Sequence, residues 1–214
     1  MSVDQQTSKS TALDTDALAN TPCGHDPYDY VIVPGFVRAA ALPAIHETYP
    51  EIDQPGSFPY QSLAYGDAFS SLLDELQGPE MRAAIEKVFD VDLTDRPTTV
   101  TVRGRCQLKD GRIHQDSTEK IITVLVYMNP DWEESGGRLR VLRSDRDLED
   151  YAAEVPPAEG TLLAFRRSDT SHHGHKPFEG QRRVLQLNWV TSDKFARRER
   201  HRHAISAFFK RLWK

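Results

Sequence analysis

The pattern of the sequence changes after Pro97, and this change limits the folds that are open to the chain. Helical patterning is scarce between residues 98 and 191. Five short runs with β-type composition lie there, separated mostly by Gly, Pro, Asp or Ser: "TTVTVRGRCQL", "KIITVLVYMN", "GGRLRVLR", "GTLLAFRR" and "RRVLQLNWV". Short strands at this spacing are typical of an all-β sandwich or barrel. The sequence therefore predicts a barrel over about residues 98–191.

Helical segments flank the predicted barrel. The run "AFSSLLDELQGPEMRAAIEKVFDV" predicts two helices broken at Gly78–Pro79, and "VRAAALPAIHETYPEI" predicts another that contains Pro43. The terminal "RRERHRHAISAFFKRLWK" predicts a helix over about 195–213. We expect an α+β fold, a double-stranded barrel with helical support at about 36–90. One domain would span residues 27–214.

The N-terminal part of the chain has a different composition. Residues 1–26 are polar and poor in aromatic side chains. Such segments bury little apolar surface and tend to stay mobile. We expect residues 1–26 to be mobile, apart from a short helix around Thr11–Leu18.

Composition and charge exclude several classes of protein. The chain of 214 residues is 38% hydrophobic and 28% charged, so it can form a core, and its net charge of −5 gives no reason to expect nucleic acid as a partner. The two cysteines make no disulfide framework, which favours a reducing compartment. No signal peptide is visible, and no apolar run approaches the ~20 residues of a transmembrane segment. These features predict a cytoplasmic protein.

An imidazole and a carboxylate stand two residues apart just ahead of an apolar run. They are His114 and Asp116, in "GRIHQDSTEK". Side chains at i and i+2 on extended backbone point to the same face. The pair would thus lie together at the mouth of the barrel, unless it belongs to a solvent-exposed polar loop.

A second group of histidines makes a metal site the better explanation of this pair. The segment "SHHGHKP" lies between two later β-type runs. Fe(II) bound by two imidazoles and one carboxylate on one face keeps its remaining positions open for substrates. Such a site needs a close H-x-D pair and one more histidine from a distant strand, and the sequence supplies both.

Two arginines, Arg182 and Arg183, open the last β-type run. A buried guanidinium is costly unless an anion meets it, and its planar fork suits a carboxylate. The alternative is a strand end with both side chains in water. Because neighbouring strand residues face opposite ways, only one arginine can enter the barrel. We predict Arg183, since its face carries apolar residues that suit a barrel lining, whereas Arg182 shares its face with a more polar set. The apolar set is Leu185, Leu187 and Trp189, and the polar set is Val184, Gln186 and Asn188.

Four motifs in order give the region from about Tyr28 to Trp189 a family resemblance. They are "HQD", "TVLVYMN", "GGRLRVL" and "HGHKPFEGQRRVLQLNW". This order resembles the Fe(II)/2-oxoglutarate-dependent oxygenases, most closely their prolyl-4-hydroxylase-like branch. The resemblance implies a double-stranded β-helix, or jelly roll, with supporting helices.

The resemblance also implies roles for individual residues. His114, Asp116 and His173 resemble the iron ligands, with His173 preferred to His172 and His175 because it places Pro177 in the family's register. Arg183 resembles the residue that pairs with the distal carboxylate of 2-oxoglutarate. Tyr127 resembles a tyrosine that contacts the same carboxylate, or it is a core tyrosine bonded to backbone. Thr123 shares its face and is predicted to contact the co-substrate with it. The chain departs from the family at Gln107, where a tyrosine is common, and at Leu185, where a serine is common.

The implied function is a dioxygenase that uses Fe(II), 2-oxoglutarate and O2, hydroxylates an unactivated C–H bond, with a prolyl side chain as one candidate, and releases succinate and CO2. Two alternatives stay open: a cupin-type metal-dependent oxygenase or isomerase that needs no 2-oxoglutarate, and a non-enzymatic ligand-binding barrel. The prime substrate, whether peptide, protein or small molecule, is open too.

The basic C-terminal helix would dock on the barrel through Ile205, Phe208, Phe209 and Leu212, or else lie on a membrane surface.

Overall fold

The structure is a computed structural model that describes residues 11–199 and residue 201. The helices of the described part are α1 (Thr15–Asn20), α2 (Leu42–Glu47), α3 (Asp67–Leu76) and α4 (Pro79–Phe89), with a 3₁₀ turn at Tyr60–Ser62. The strands are β1 (Tyr30–Val33), β2 (Phe58–Pro59), β3 (Thr98–Cys106), β4 (Lys120–Tyr127), β5 (Leu139–Leu142), β6 (Tyr151–Val155), β7 (Leu162–Arg166), β8 (His173–Gly174) and β9 (Gly180–Val190).

The strands form two antiparallel sheets. The major sheet has the order β1-β7-β4-β9-β3-β2, and the minor sheet has the order β6-β5-β8. All five β-type runs of the sequence became strands. Beyond these five, the described part of the chain has four further short strands: β1, β2, β6 and β8.

Two hydrophobic clusters show which face of the major sheet packs against the helices and which packs against the minor sheet. One cluster joins the helices to the outer face of the sheet and includes Phe69, Ile85, Val124 and Leu187. The other lies between the two sheets and is built from residues of both, including Leu125, Leu139, Val141, Phe165 and Val184. The inner face of the major sheet therefore faces the minor sheet, and helices cover the outer face.

The break between α3 and α4 forms where the sequence predicted it. Gly78 is the extended N-cap residue of α4, and Pro79 occupies its first turn. Proline fits that position because its missing N–H has no partner there in any case. Pro43 acts in the same way in α2, which begins at Leu42. The helix predicted across residues 37–52 is consequently limited to one short segment.

Residues 11–26 are part of the fold, which differs from the expectation of a mobile segment. Leu13 and Leu18 are buried in the cluster that joins the helices to the outer face of the major sheet. The Leu13 amide donates to Glu75 Oε2 at 3.0 Å. The Asp14 side chain caps α1 through the Ala17 amide. Residues 1–10 lie outside the described part of the chain, so the expectation stays a prediction there.

A helix begins after β9 and covers residues 193–199 in the described part. Phe195 and Ala196 are buried in a small cluster with Val190. The predicted docking residues Ile205, Phe208, Phe209 and Leu212 lie outside the described residues. No helix in the described part combines the length and apolar character that a membrane span requires.

Candidate iron and co-substrate site

Three predicted metal ligands converge where the loop before β4 meets β8. The backbones of His114 and His173 form an antiparallel bridge, with amide-to-carbonyl distances of 3.1 and 3.0 Å. Their ring centroids are 4.3 Å apart. One ligand atom each from His114, Asp116 and His173 lies within 4.8 Å of the others. Residues up to 59 positions apart in the sequence are thus placed together as one candidate metal-binding group.

The hydrogen bonds of the two imidazoles fix their tautomers. His114 Nδ1 lies 2.9 Å from the Arg112 carbonyl, and His173 Nδ1 lies 3.1 Å from the Ser171 carbonyl. Because a carbonyl can only accept, each Nδ1 must donate a proton. In the neutral form of such a ring the Nε2 lone pair is then free for a metal, the usual arrangement of histidine ligands.

Asp116 is held by donors on both oxygens. The Lys120 ammonium lies 2.6 Å from Oδ1, and the Thr123 hydroxyl donates to Oδ2 at 2.6 Å. Burial alone would raise the pKa of Asp116, but Lys120, His173 and these hydrogen bonds outweigh it and lower the pKa to about 2. The carboxylate is therefore anionic at neutral pH.

His173 is buried with Phe165 against its ring, at a centroid distance of 4.7 Å. Burial lowers the pKa of His173 to about 4, although the nearby Asp116 opposes the shift. This imidazole is neutral at pH 7, as a metal ligand must be.

A chain of polar side chains leads from Asp116 across three neighbouring strands. Thr123 on β4 also contacts Asn188 Oδ1 on β9 at 3.1 Å, and Asn188 Nδ2 donates to Thr99 on β3 at 3.1 Å. Thr123 was predicted as a co-substrate contact. The structure places its hydroxyl on the predicted iron ligand instead.

The same three ligands line a cavity of about 530 Å³ between the sheets. Arg182 also lines this cavity, together with Val184, Gln186 and Asn188 of the same strand face. Arg183 does not: its guanidinium lies 5.0 Å from the ring centroid of Tyr49, on the helix side of the sheet.

The prediction that Arg183 enters the barrel is wrong, and Arg182 takes that place. The apolar face of β9 was assigned to the barrel lining, but Leu185, Leu187 and Trp189 pack in the cluster below the helices. The face that meets the cavity is the polar one, because helices can cover an apolar face completely whereas a cavity leaves polar groups open to solvent or ligand.

Arg182 is 5% exposed, its Nε donates to the Gly137 carbonyl at 2.8 Å, and its guanidinium also interacts with the Tyr127 hydroxyl. Arg182 forms no ion pair with a carboxylate among the described residues. Arg103, a second arginine of the cavity, differs because Asp110 Oδ2 lies 3.0 Å from it. A buried cation without a counter-ion calls for an anion.

Tyr127 lies beside this arginine. The guanidinium of Arg182 is 5.3 Å from its ring centroid. Its hydroxyl is fully buried and has no hydrogen-bond partner of normal geometry among the described residues. Burial raises the pKa of Tyr127, with Arg182 acting against the shift. The buried Tyr127 hydroxyl and the buried Arg182 guanidinium therefore lie side by side, and both can still hydrogen-bond to a ligand.

The remaining histidines of the cluster lie apart from the predicted ligands. His172 is half-buried, and its carbonyl accepts from Tyr28 at 2.9 Å. His175 lines the cavity, but its Nδ1 lies 2.8 Å from the Lys176 carbonyl and its ring packs on Gly111. Burial lowers the pKa of His175 to about 4, and Arg182 adds to this shift.

Sequence reasoning did not identify Lys120 and Asn188 as site residues, and it placed Arg182 outside the barrel. A usable signal was present in β9, where arginine, glutamine and asparagine recur on one strand face at positions 182, 186 and 188. A run of polar residues on one face of an otherwise buried strand indicates a face that meets a polar ligand.

A comparison with protein-family models identifies residues 105–191 as matching the 2OG-Fe(II) oxygenase superfamily. The match includes every residue of the predicted metal group and both arginines of β9. The part of the chain that carries the candidate site is therefore similar to the 2OG-Fe(II) oxygenase superfamily. A search of curated proteins finds no match.

Solved structures show the same fold for this oxygenase. A prolyl-4-hydroxylase from Pseudomonas putida has 18% identity and a TM-score of 0.55, over 83% of this chain and 92% of that one. Prolyl 4-hydroxylases from Phytophthora capsici have 18% identity and a TM-score of 0.56, over 88% of this chain and 69% of that one. A prolyl hydroxylase from Trichoplax adhaerens was solved in complex with a hypoxia inducible factor peptide fragment. It has 16% identity and a TM-score of 0.50, over 87% of this chain and 91% of that one.

These comparisons confirm four of the predictions. The family is the one indicated by the four motifs, and its fold is the jelly roll with supporting helices. The oxygenase is a 2-oxoglutarate-dependent enzyme, and its cofactor set is Fe(II), 2-oxoglutarate and O2.

Proposed function

We propose that this oxygenase hydroxylates an unactivated C–H bond, with His114, Asp116 and His173 as the ligands of one Fe(II). The observation that carries the proposal is the position of the three ligand atoms within 4.8 Å of one another, in the cavity that also holds Arg182. Succinate and CO2 would be released in each turnover.

The side chains present fit Fe(II) by their protonation and hydrogen bonding. Both imidazoles direct Nδ1 at a backbone carbonyl and keep Nε2 free, and Asp116 is anionic. Two imidazoles and one carboxylate are the donor set of the facial triad of non-haem Fe(II) oxygenases. When bound, Fe(II) supplies the oxygen chemistry that attacks a C–H bond, which no amino-acid side chain can supply.

Arg182 and Tyr127 are proposed to bind the distal carboxylate of 2-oxoglutarate. This replaces the role predicted for Arg183. The support is the buried guanidinium without a carboxylate partner and the buried hydroxyl beside it. A guanidinium pairs with a carboxylate through two parallel hydrogen bonds, and these are among the stronger ones in proteins.

Other residues of the chain position these groups. Thr123 and Lys120 orient the Asp116 carboxylate, and Asn188 supports Thr123. Phe165 and Val184 give the cavity apolar walls beside the metal group. Such walls keep water from the reacting centre, where it would compete for the open positions on the metal.

A prolyl side chain of a peptide is our first candidate for the prime substrate. The prolyl hydroxylase from Trichoplax adhaerens, whose fold this chain shares, was solved with a peptide. The support is thus a likeness of fold, so a small-molecule substrate is the alternative, and the substrate screen must include both.

The test is the turnover of 2-oxoglutarate to succinate by the purified protein with Fe(II), with and without proline-containing peptides. We expect slow turnover without substrate and faster turnover with the right peptide. His173→Ala should abolish both, and His172→Ala, at the neighbouring residue that does not line the cavity, should retain both. Oxidation of a substrate that proceeds without 2-oxoglutarate would favour the cupin-type alternative. Failure to bind any metal would favour a non-enzymatic barrel.

A further inference from the structure

A second group of metal-binding side chains lies outside the cavity, in the segment that leads into β1. One ligand atom each from Cys23, His25 and Asp29 lies within 4.8 Å of the others. The sequence contains a thiol, an imidazole and a carboxylate within seven residues, "CGHDPYD". None of these three side chains takes part in the proposed oxygenase site.

The backbone holds the ends of this segment together before any metal arrives. Gly24 and Tyr30 exchange two hydrogen bonds, with N–O distances of 2.8 and 2.9 Å. A Cβ on Gly24 would lie 3.0 Å from the Tyr30 ring, so glycine permits this close approach. The Asp29 carbonyl accepts from the Arg166 amide at 3.0 Å, which joins the segment to β7. The ligands therefore need little ordering on binding.

The side chains themselves are already directed at one another. His25 Nδ1 lies 2.8 Å from Asp29 Oδ1, while Arg166 Nε lies 3.4 Å from Oδ2. The Cys23 thiol is half-buried and lies 3.4 Å from the Gly24 carbonyl. The His25 side chain is 75% exposed, which gives an ion a path from solvent.

We propose that Cys23, His25 and Asp29 bind a thiophilic divalent cation of the Zn²⁺ type, separately from Fe(II). Zn²⁺ takes sulfur, nitrogen and oxygen ligands in tetrahedral geometry, and three protein ligands leave the fourth position to water. The bond forms between the metal and the Cys23 sulfur, and the thiol proton leaves to solvent. The thiolate and the carboxylate together then balance the two charges of the ion.

The site lies next to residues that support the proposed iron ligand. Tyr28 falls between His25 and Asp29, and its hydroxyl donates to the His172 carbonyl at 2.9 Å. Its ring contacts Phe165 at a centroid distance of 6.1 Å, and Phe165 contacts His173. A bound ion would hold in place the segment that carries Tyr28, beside the proposed iron ligand.

Cobalt distinguishes this site from the oxygenase site. A Co²⁺–thiolate bond gives a charge-transfer band in the near ultraviolet, and His114, Asp116 and His173 include no thiol. The reduced, metal-free full chain is titrated with Co²⁺ alone. We expect the band in the wild type and in His173→Ala, and its loss in Cys23→Ala. The matched control is Cys106→Ala, which removes the other cysteine of the sequence and should keep the band.

His25→Ala is a variant that should fold, because the side chain is mostly exposed. We expect it to weaken Co²⁺ binding at least ~10-fold, since even outer partners of metal ligands cost that much. In the His173→Ala background, Zn²⁺ should raise the melting temperature with His25 present but not after His25→Ala. No band in the wild type, a band that Cys106→Ala removes, or equal melting shifts with and without His25 would each overturn the proposal.

Discussion

Arg182 and Arg183 are neighbours in β9 whose guanidinium groups lie on opposite faces of the major sheet. Arg182 stands over Tyr127 at 5.3 Å from its ring centroid, inside the cavity, and Arg183 stands over Tyr49 at 5.0 Å, on the helix side. Each guanidinium lies against a tyrosine ring. The two arginines differ in the strand face they occupy, which gives Arg182 access to the cavity and leaves Arg183 packed under the helices.

The first prediction compares these two arginines. Arg182→Leu should weaken 2-oxoglutarate binding by ~30-fold or more while Fe(II) stays bound, because loss of one partner of a buried charge pair costs about 2–5 kcal/mol. Arg183→Leu should change the affinity only a few-fold. Anaerobic titration of the Fe(II) protein with 2-oxoglutarate, followed by visible charge-transfer absorption, measures both. A larger loss from Arg183→Leu would reverse our assignment of the two faces.

The second prediction separates binding from stability at Tyr127. Its hydroxyl is buried without a hydrogen-bond partner of normal geometry, and such a group costs about 1–3 kcal/mol. Tyr127→Phe should therefore leave the free energy of unfolding of the unliganded protein unchanged or raise it, while it weakens 2-oxoglutarate binding. Chemical denaturation and the same titration measure the two effects. A destabilised variant with unchanged affinity would make Tyr127 an ordinary core tyrosine.

Periodicity and turn chemistry predicted much of the fold. Gly78 and Pro79 marked the boundary of two helices because an extended N-cap and a proline in the first turn are local requirements. The short strands β6 and β8 were missed because they depend on their partner β5 rather than on their own composition. Burial of Leu13 and Leu18 was missed for a similar reason, since tertiary contacts with the helices hold a segment that is polar on average.

The candidate site was predicted in part. The H-x-D spacing and the register of Pro177 selected His114, Asp116 and His173, which the structure brings together. The choice between Arg182 and Arg183 failed because alternation assigns two faces to a strand without stating which one meets the ligand. In a sheet covered by helices, the more apolar face is the covered one.

The third prediction concerns acid stability of the metal-free protein. The pKa values of His173 and His175 are about 4 in the folded protein, below the ordinary histidine value of about 6.5. The unfolded chain therefore binds protons first, and the free energy of unfolding should fall as the pH drops from about 6.5 to about 4. His175→Gln should reduce this slope by up to about 1.4 kcal/mol per pH unit, the value for one proton. Denaturation at a series of pH values measures it, and an unchanged slope would contradict the assignment.

The fourth prediction concerns the hydroxyl that holds the proposed iron carboxylate. Thr123 donates to Asp116 Oδ2 at 2.6 Å, and it is 1% exposed, so water does not replace it easily. Thr123→Val keeps the shape of the side chain and removes this donor. Because partners of metal ligands orient them, we expect Fe(II) affinity to fall by ~10- to 100-fold.

Thr101→Val is the matched control for that variant. Thr101 also lines the cavity and is 9% exposed, but it lies on β3, paired with Gln186 of β9 rather than next to Asp116. Anaerobic competition for Fe(II) with a chelator of known affinity measures both variants, with thermal melts to compare their stability. Thr123→Val should weaken Fe(II) binding well beyond Thr101→Val at similar stability. Equal affinities would mean that Lys120 alone, at 2.6 Å from Oδ1, orients the carboxylate.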